Sequence, residues 1–173
     1  MRVRALRVLR GKILPFSIPS TVDDELNELY QDIILDHHRR PRNRGQLPAP
    51  PASFAEGFNP LCGDQLTVFV NVDGDKISDI KFTGQGCAIS QSSASLMTQQ
   101  VKGKTVAEAR AAIAAIQELL TGENLPPIAV QESLGDLIAL KGVRKFVARV
   151  KCATLAWHAL DAALAGHGKV STE

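Results

Sequence analysis

The chain has 173 residues, of which 45% are hydrophobic and 22% are charged, the balance of an ordinary globular protein. This length suits one domain, which can bury a sizeable core without disulfides or a structural metal. No apolar run approaches the roughly 20 residues that a membrane span needs, and a net charge of +2 excludes the strongly basic surface typical of nucleic-acid-binding domains.

The first 20 residues differ in charge from the rest of the chain. Five basic residues and no acidic residue precede Asp23, so the remainder is mildly acidic, with 15 basic and 18 acidic residues. An Arg-rich, acid-free segment is typical of mitochondrial transit peptides, and it also fits a bacterial extension. We predict a basic, flexible extension over 1–20, a single domain over 21–166 and a flexible tail over 167–173. We expect a bacterial cytoplasmic protein, with mitochondrial targeting by residues 1–20 as the alternative.

Apolar residues at helical spacing predict a helix that is capped by Thr21 and ends near Arg40, because Pro41 cannot continue it. Two strand patterns follow, over 66–72 and 76–82. Asp73-Gly74 between them is a strong hairpin signal. Residues 53–58 suit a third antiparallel strand. Further helices are predicted over 88–101, over 106–120 after the N-cap Thr105, near 134–140 and over 152–164.

Strands that precede most of the helices favour an α+β fold. We therefore predict a small three-stranded antiparallel sheet that helices cover on one face. Trp157 is expected in the core. The small residues of the 88–101 helix, several of them serines, are expected to allow close helix packing.

Three cysteines cannot form a complete set of intramolecular disulfides, and no secretory signal is present. In reducing cytosol such cysteines are buried apolar residues, metal ligands or nucleophiles. Cys62 and Asp64 flank Gly63 just before a strand, so their side chains can converge on one point. A thiolate and a carboxylate are both zinc ligands.

The other two cysteines also stand where elements meet. Cys87 follows Gly84-Gln85-Gly86 and precedes a helix, whose N-terminus stabilises a thiolate. Cys152 is predicted to open the last helix, beside the cations Arg149 and Lys151, which favour the thiolate. Three thiolates and one carboxylate would satisfy tetrahedral zinc. The alternative, three small buried hydrophobic residues, stays open at this point.

These residues carry a resemblance to the IscU/NifU N-terminal family of iron–sulfur cluster assembly proteins, over roughly residues 26–165. The matching motifs include Pro41-Arg42-Asn43, Asn59-Pro60-x-Cys62-Gly63-Asp64, Gly84-x-Gly86-Cys87-x-Ile89-Ser90 and Arg149-x-Lys151-Cys152-Ala153-Thr154-Leu155-x-Trp157. Lys151 stands where scaffold-type members have histidine, and roughly 20 extra residues precede Cys152. Both features resemble the SufU branch.

The resemblance implies an IscU/NifU-like fold whose metal ligands are Cys62, Asp64, Cys87 and Cys152. For this branch it implies a zinc-dependent acceptor of persulfide sulfur from a SufS-like cysteine desulfurase in the SUF pathway, working with other cluster assembly proteins. Cys62 is then the expected acceptor, Asp64 an exchangeable ligand, and Arg149 a partner for Asp64 or for the desulfurase.

Two other functions remain as alternatives. The same residues could hold a transient [2Fe–2S] cluster on a scaffold, or zinc could have only a structural role in an adaptor. Neither nucleic acid nor membrane is expected as a partner, and the sequence leaves the oligomeric state open. The stretch from His37 to Arg42 is expected to be a solvated basic helix end or a docking patch rather than a metal site, since adjacent histidines on a helix point in different directions.

Overall fold

The computed structural model describes residues 22–172. The expected extension over 1–20 and the predicted N-cap Thr21 lie outside these residues. The helices are α1 Val22–Arg39, α2 Ala88–Val101, α3 Val106–Thr121, α4 Ile128–Ser133, a 3₁₀ helix Gly135–Lys145, and α5 Val147–Ala165; the strands are β1 Ser53–Asn59, β2 Asp64–Asp73, β3 Lys76–Gln85 and β4 Lys169–Ser171.

The sheet has four strands in the order β3-β2-β1-β4. β1, β2 and β3 pair antiparallel, as predicted, with a register shift near Asn71 in the hairpin. The predicted three-stranded sheet is wrong in one respect, because β4 adds a parallel strand beside β1 and makes the sheet mixed. β4 lies in the expected flexible tail. With only three residues, it is too short to give an alternating sequence signal.

The core lies between one face of the sheet and helices α2 and α5. Alternate residues of β2 are buried, and they meet the buried side chains of α5, including Leu155 and the predicted core residue Trp157. Small residues let α2 pack closely on α5, as predicted. Ser93 Oγ donates to the Ala153 carbonyl at 2.6 Å and accepts from Trp157 Nε1 at 3.1 Å.

Helix α3 begins as predicted at its N-cap. Thr105 and Glu108 form a capping box, in which each side chain accepts a hydrogen bond from the other residue's backbone N–H. Helix α5 begins at Val147, so the prediction that Cys152 opens this helix is wrong. The Phe146 carbonyl accepts from the N–H groups of Arg149 and Val150, which puts Cys152 in the second helical turn. The β-branched residues Val147 and Val150 obscured this start.

None of the helices in the described part of the chain is long and apolar enough to cross a membrane.

Candidate metal centre

Three of the four predicted ligands come together at one end of the sheet. Cys62 lies in the loop between β1 and β2, Asp64 is the first residue of β2, and Cys152 projects from α5. One potential ligand atom from each lies within 4.8 Å of the other two. The Sγ atoms of Cys62 and Cys152 are 3.2 Å apart. The β1–β2 loop, the start of β2 and helix α5 thus converge on one point.

Cys87, the fourth predicted ligand, borders this group. Its backbone N–H donates to Asp64 Oδ1 at 2.9 Å. As predicted, it stands at the N-terminus of α2, where it is the N-cap, and its Sγ accepts from the Ser90 N–H at 3.5 Å. This contact turns the thiol toward its own helix, and Cys87 lies outside the group formed by the other three residues.

Two glycines make the close approach possible. Gly63 has φ +69°, a left-handed conformation that L side chains rarely adopt, and it lets the chain reverse between Cys62 and Asp64. A Cβ at Gly86 would lie 2.5 Å from Asp64 Oδ1. Any side chain at this position would therefore displace the carboxylate. Gly86 therefore lets the backbone before Cys87 approach the Asp64 carboxylate closely.

Asn59 is the residue of this site whose role the sequence did not reveal. It is fully buried at the end of β1, and its Nδ2 donates to Asp64 Oδ2 at 3.2 Å and to Cys152 Sγ at 3.4 Å. Its Oδ1 accepts from the Leu61 N–H at 3.3 Å, which shapes the loop before Cys62. A polar residue that ends a strand just before a Pro-x-Cys-Gly-Asp turn is the signal that could have found it.

Asp64 is fully buried, and each of its oxygens accepts a hydrogen bond, Oδ1 from Cys87 and Oδ2 from Asn59. Because a buried carboxylate needs such donors, these two bonds fix the direction of its remaining lone pairs. Its orientation is thus set by the protein.

The three cysteines differ in accessibility: Cys62 is exposed, Cys87 half-buried and Cys152 buried. Burial, then hydrogen bonds with Cys62 and Asp64 and the charge of Cys87, raise the pKa of the Cys152 thiol. Burial thus opposes the thiolate form of Cys152, which the neighbouring cations were expected to favour.

Arg149 lies on the solvent side of the thiols. A hydrogen bond to Cys152, followed by the negative charges of Cys87, Cys152 and Cys62, raises the pKa of its guanidinium. Among residues 22–172, no ion pair joins Arg149 to Asp64. The predicted pairing of Arg149 with Asp64 is therefore not found in the described residues.

The donor set fits a zinc ion. Zinc takes thiolate and carboxylate ligands in a tetrahedron, and Zn–S bonds of about 2.3 Å put two ligand sulfurs about 3.8 Å apart. The observed 3.2 Å between Cys62 and Cys152 needs only a small opening, which the exposed Cys62 loop can supply. The hydrogen bond from Asn59 to Asp64 is the kind of outer contact that orients a metal-binding carboxylate.

His37 does not behave as the sequence suggested. It was expected at a solvated helix end, but it is 4% exposed, and its Nδ1 lies 2.8 Å from Ser95 Oγ at the contact of α1 with α2. Burial lowers its pKa. Arg42, from the same stretch, forms an ion pair with Asp36 at 2.5 Å. His37 is therefore a packing residue, while the basic residues around it remain at the surface.

An apolar groove of about 670 Å³ opens beside the site. It lies between α1, the start of α2 and the chain leading into α5, and its lining includes Tyr30, Ile34, Ile89, Phe146 and Arg149. Leu61, Phe146 and Val147 are each more than 60% exposed. Exposed apolar side chains thus occur both in the loop that carries Cys62 and at the start of the helix that carries Cys152.

Comparisons with known proteins identify the family of this chain. The sequence model of the family described as NifU-like N terminal domain matches residues 29–153. The chain is 41% identical over 140 residues to the zinc-dependent sulfurtransferase SufU of Bacillus subtilis (strain 168), covering 81% of this chain and 92% of that protein. It is 44% identical over 140 residues to the iron–sulfur cluster assembly scaffold protein IscU of Streptococcus pyogenes serotype M1, covering 81% and 85%.

Comparison with solved structures finds the same family. A crystal structure of a candidate iron–sulfur cluster assembly scaffold protein for the SUF system, from Fervidobacterium islandicum AW-1, superposes with a TM-score of 0.71 at 35% identity. The match covers 80% of this chain and 98% of that one. The predicted α+β architecture is therefore confirmed.

Proposed function

This chain belongs to the family of NifU-like N-terminal domains, and we propose that it serves iron–sulfur cluster assembly by accepting persulfide sulfur from a cysteine desulfurase. The observation that carries this proposal is the difference in solvent exposure among the clustered side chains of the site. Cys62 is exposed, while Cys152 and Asp64, its neighbours in the site, are fully buried. Of the clustered donors, only Cys62 can meet a sulfur atom held by another protein.

The acceptor step is a thiol–disulfide type of exchange. The thiolate of Cys62 attacks the outer sulfur of the partner's persulfide, a new S–S bond forms on Cys62, and the partner's cysteine leaves as a thiolate. Arg149, whose guanidinium interacts with the charges on these sulfurs, would balance the negative charge that gathers during the exchange.

Zinc is the metal we propose for Cys62, Asp64, Cys87 and Cys152. When bound, it keeps thiolates deprotonated at neutral pH. The protein's own contribution is to hold Asp64 through Asn59 and Cys87 and to leave Cys62 on a short loop. That loop can shift without moving a strand or helix.

The partner we propose is a SufS-like desulfurase. The exposed apolar residue Leu61 adjoins Cys62 in the chain, and the exposed Phe146 and Val147 stand at the start of the helix that carries Cys152. The groove beside Arg149 offers further apolar surface. A partner that covers these residues would exclude water from the exchange.

A desulfurase assay tests the proposal. Adding this protein should accelerate cysteine turnover. Cys62→Ala should abolish that acceleration while the fold is retained, because the side chain is exposed and lies outside the hydrophobic core. Pro60→Ala changes the same loop without removing a thiol and serves as the control. Full acceleration by Cys62→Ala would contradict the acceptor role.

A cluster scaffold is the second candidate, because the same exposed loop could release a [2Fe–2S] cluster as cargo and a relative carries that name. Anaerobic purification separates the two. Tightly bound stoichiometric zinc supports sulfur transfer, whereas a coloured cluster that moves to an apo-protein supports the scaffold. Chelation followed by circular dichroism tests a structural adaptor, which would unfold. The separate hydrophobic core leads us to expect a retained fold.

A further inference from the structure

Cys62 and Cys152 lie closer together than the acceptor role alone requires. We propose that Cys152 resolves a persulfide on Cys62, so that the stored sulfur leaves as hydrosulfide and the two cysteines become joined by a disulfide. This inference rests on the proposed function in taking Cys62 as the persulfide carrier. It adds a second chemical step, in which the protein itself supplies the two electrons that reduce the sulfur.

The geometry sets the direction of attack. Cys152 Sγ lies 3.2 Å from Cys62 Sγ, with the Cys152 thiol as the hydrogen donor. Cys152 is fully buried, whereas Cys62 is exposed, so a sulfur added to Cys62 has room on the solvent side, away from Cys152. Attack on Cys62 Sγ from the buried side is therefore in line with the bond that breaks, as exchange at sulfur requires.

The step balances without an outside oxidant. The Sγ–Sγ bond between Cys62 and Cys152 forms as the bond between Cys62 Sγ and the outer sulfur breaks. Cys62 Sγ stays at the disulfide level, Cys152 Sγ is oxidised to that level by giving its electron pair to the new bond, and the outer sulfur is reduced to hydrosulfide. Cys152 attacks as the thiolate, and the departing sulfur takes its proton from water at the exposed side of Cys62. An external thiol reductant then restores the pair for another cycle.

Neighbouring groups favour Cys152 over Cys87 as the resolving residue. Cys87 Sγ is engaged by the Ser90 N–H at 3.5 Å and lies outside the group formed by Cys62, Asp64 and Cys152. Cys152 Sγ instead receives a hydrogen bond from Asn59 Nδ2 at 3.4 Å, which stabilises negative charge on this sulfur as its proton leaves.

The disulfide would also change the site. It removes two thiolates from the donor set, and a metal held there would keep only Asp64 and Cys87. Sulfide release is therefore expected to proceed in parallel with metal release.

The test follows one turnover in the absence of reductant. The protein as purified is loaded in two ways, with inorganic polysulfide and with a cysteine desulfurase plus L-cysteine. Hydrosulfide is measured colorimetrically, and peptide mass spectrometry locates persulfide and disulfide. The wild-type protein should release about one sulfide per chain, the ratio that this exchange chemistry dictates, and it should show a Cys62–Cys152 disulfide.

Single-cysteine variants distinguish the outcomes. Cys152→Ser should retain the persulfide on Cys62 and release at least tenfold less sulfide, while Cys87→Ser should still form the Cys62–Cys152 disulfide. Equal sulfide release by Cys152→Ser, a disulfide through Cys87, or a lasting wild-type persulfide would each overturn the proposal, as would failure of polysulfide to load Cys62. If polysulfide loads Cys62 and the desulfurase does not, the resolving step stands and the proposed function fails.

Discussion

Asn59 shows how much one side chain can organise at the scale of a residue. Its amide donates to Asp64 and to Cys152, and its carbonyl oxygen holds the Leu61 N–H. One buried amide therefore orients a carboxylate, a thiol and the loop that presents Cys62. We regard Asn59 as a positioning residue, since it contacts the proposed metal ligands Asp64 and Cys152 rather than the sulfur that is transferred.

Replacing Asn59 with alanine should leave a buried carboxylate oxygen and a backbone N–H without their partners. We expect unfolding to become about 1–3 kcal/mol easier and zinc affinity to fall about tenfold or more. Chemical denaturation and competition with a chromophoric chelator measure the two effects.

Asn71→Ala is the matched control for this prediction. It removes the same amide group from the same sheet, at a position where Oδ1 has no hydrogen-bond partner. If Asn71→Ala lowers zinc affinity as much as Asn59→Ala, the effect does not come from the hydrogen bonds at the site.

At the scale of elements, the early start of α5 decides what surrounds the thiols. Because the helix begins at Val147, Cys152 sits on a rigid second turn, while Phe146 and Val147 stand exposed at the start. Cys62, in contrast, belongs to a short loop after β1. A fixed thiol and a displaceable thiol thus face each other across the site.

Phe146→Asp tests the apolar surface at this helix start. Phe146 is 63% exposed, so the change should alter stability by no more than about 0.5 kcal/mol. If a partner covers this surface, the concentration of this protein that gives half-maximal desulfurase acceleration should rise about tenfold, which corresponds to about 1.4 kcal/mol of binding free energy.

Val72→Asp is the comparison for Phe146→Asp. Val72 is 46% exposed but lies at the hairpin end of β2, opposite the end that carries Asp64. An equal loss of acceleration with both variants would mean that added charge, rather than the surface beside the thiols, weakens the interaction.

At the scale of the whole molecule, the core and the metal site occupy different places. The core fills the space between the sheet and its helices, whereas the thiols gather at the edge where β2 begins and α2 starts. Stability and sulfur chemistry can therefore be perturbed separately, and His37, on α1, offers a way to alter stability alone.

His37 makes stability depend on pH. Burial, followed by the charge of Arg42, lowers its pKa, while Asp36 and Asp136 act in the opposite direction. The unfolded chain therefore binds a proton more readily, and stability should fall as pH drops below the ordinary histidine value of 6.5. Burial lowers the pKa of His158 as well, so part of this slope belongs to that residue.

Urea denaturation between about pH 5 and pH 7.5, the range in which histidine titrates, measures the effect. His37→Gln keeps a polar side chain beside Ser95 and should show a smaller loss of stability toward acid than the wild-type protein. An identical slope in both proteins would assign the effect to other groups.

Local signals explain what the sequence could predict. Helix α2 has the predicted bounds, because Gly86 and Cys87 mark its start, and the β2–β3 hairpin follows from Asp73-Gly74. The convergence of Cys62, Asp64 and Cys152 was expected through the family resemblance. The contact between the two sulfurs and the role of Asn59 depend on the packing of α5 against β1, about 90 residues away in the chain. A local sequence pattern does not predict a contact between such distant segments.

The parallel strand β4 has a practical consequence for handling the protein. Thr172 N–H donates to the Phe58 carbonyl at 3.0 Å, and Glu56 N–H donates to the Gly168 carbonyl at 2.9 Å, so the last described residues lie along the strand that leads into the Cys62 loop. An affinity tag fused behind this strand would emerge next to that loop and compete with any partner approaching it. Removing such a tag before interaction assays is therefore part of measuring the protein's own affinity.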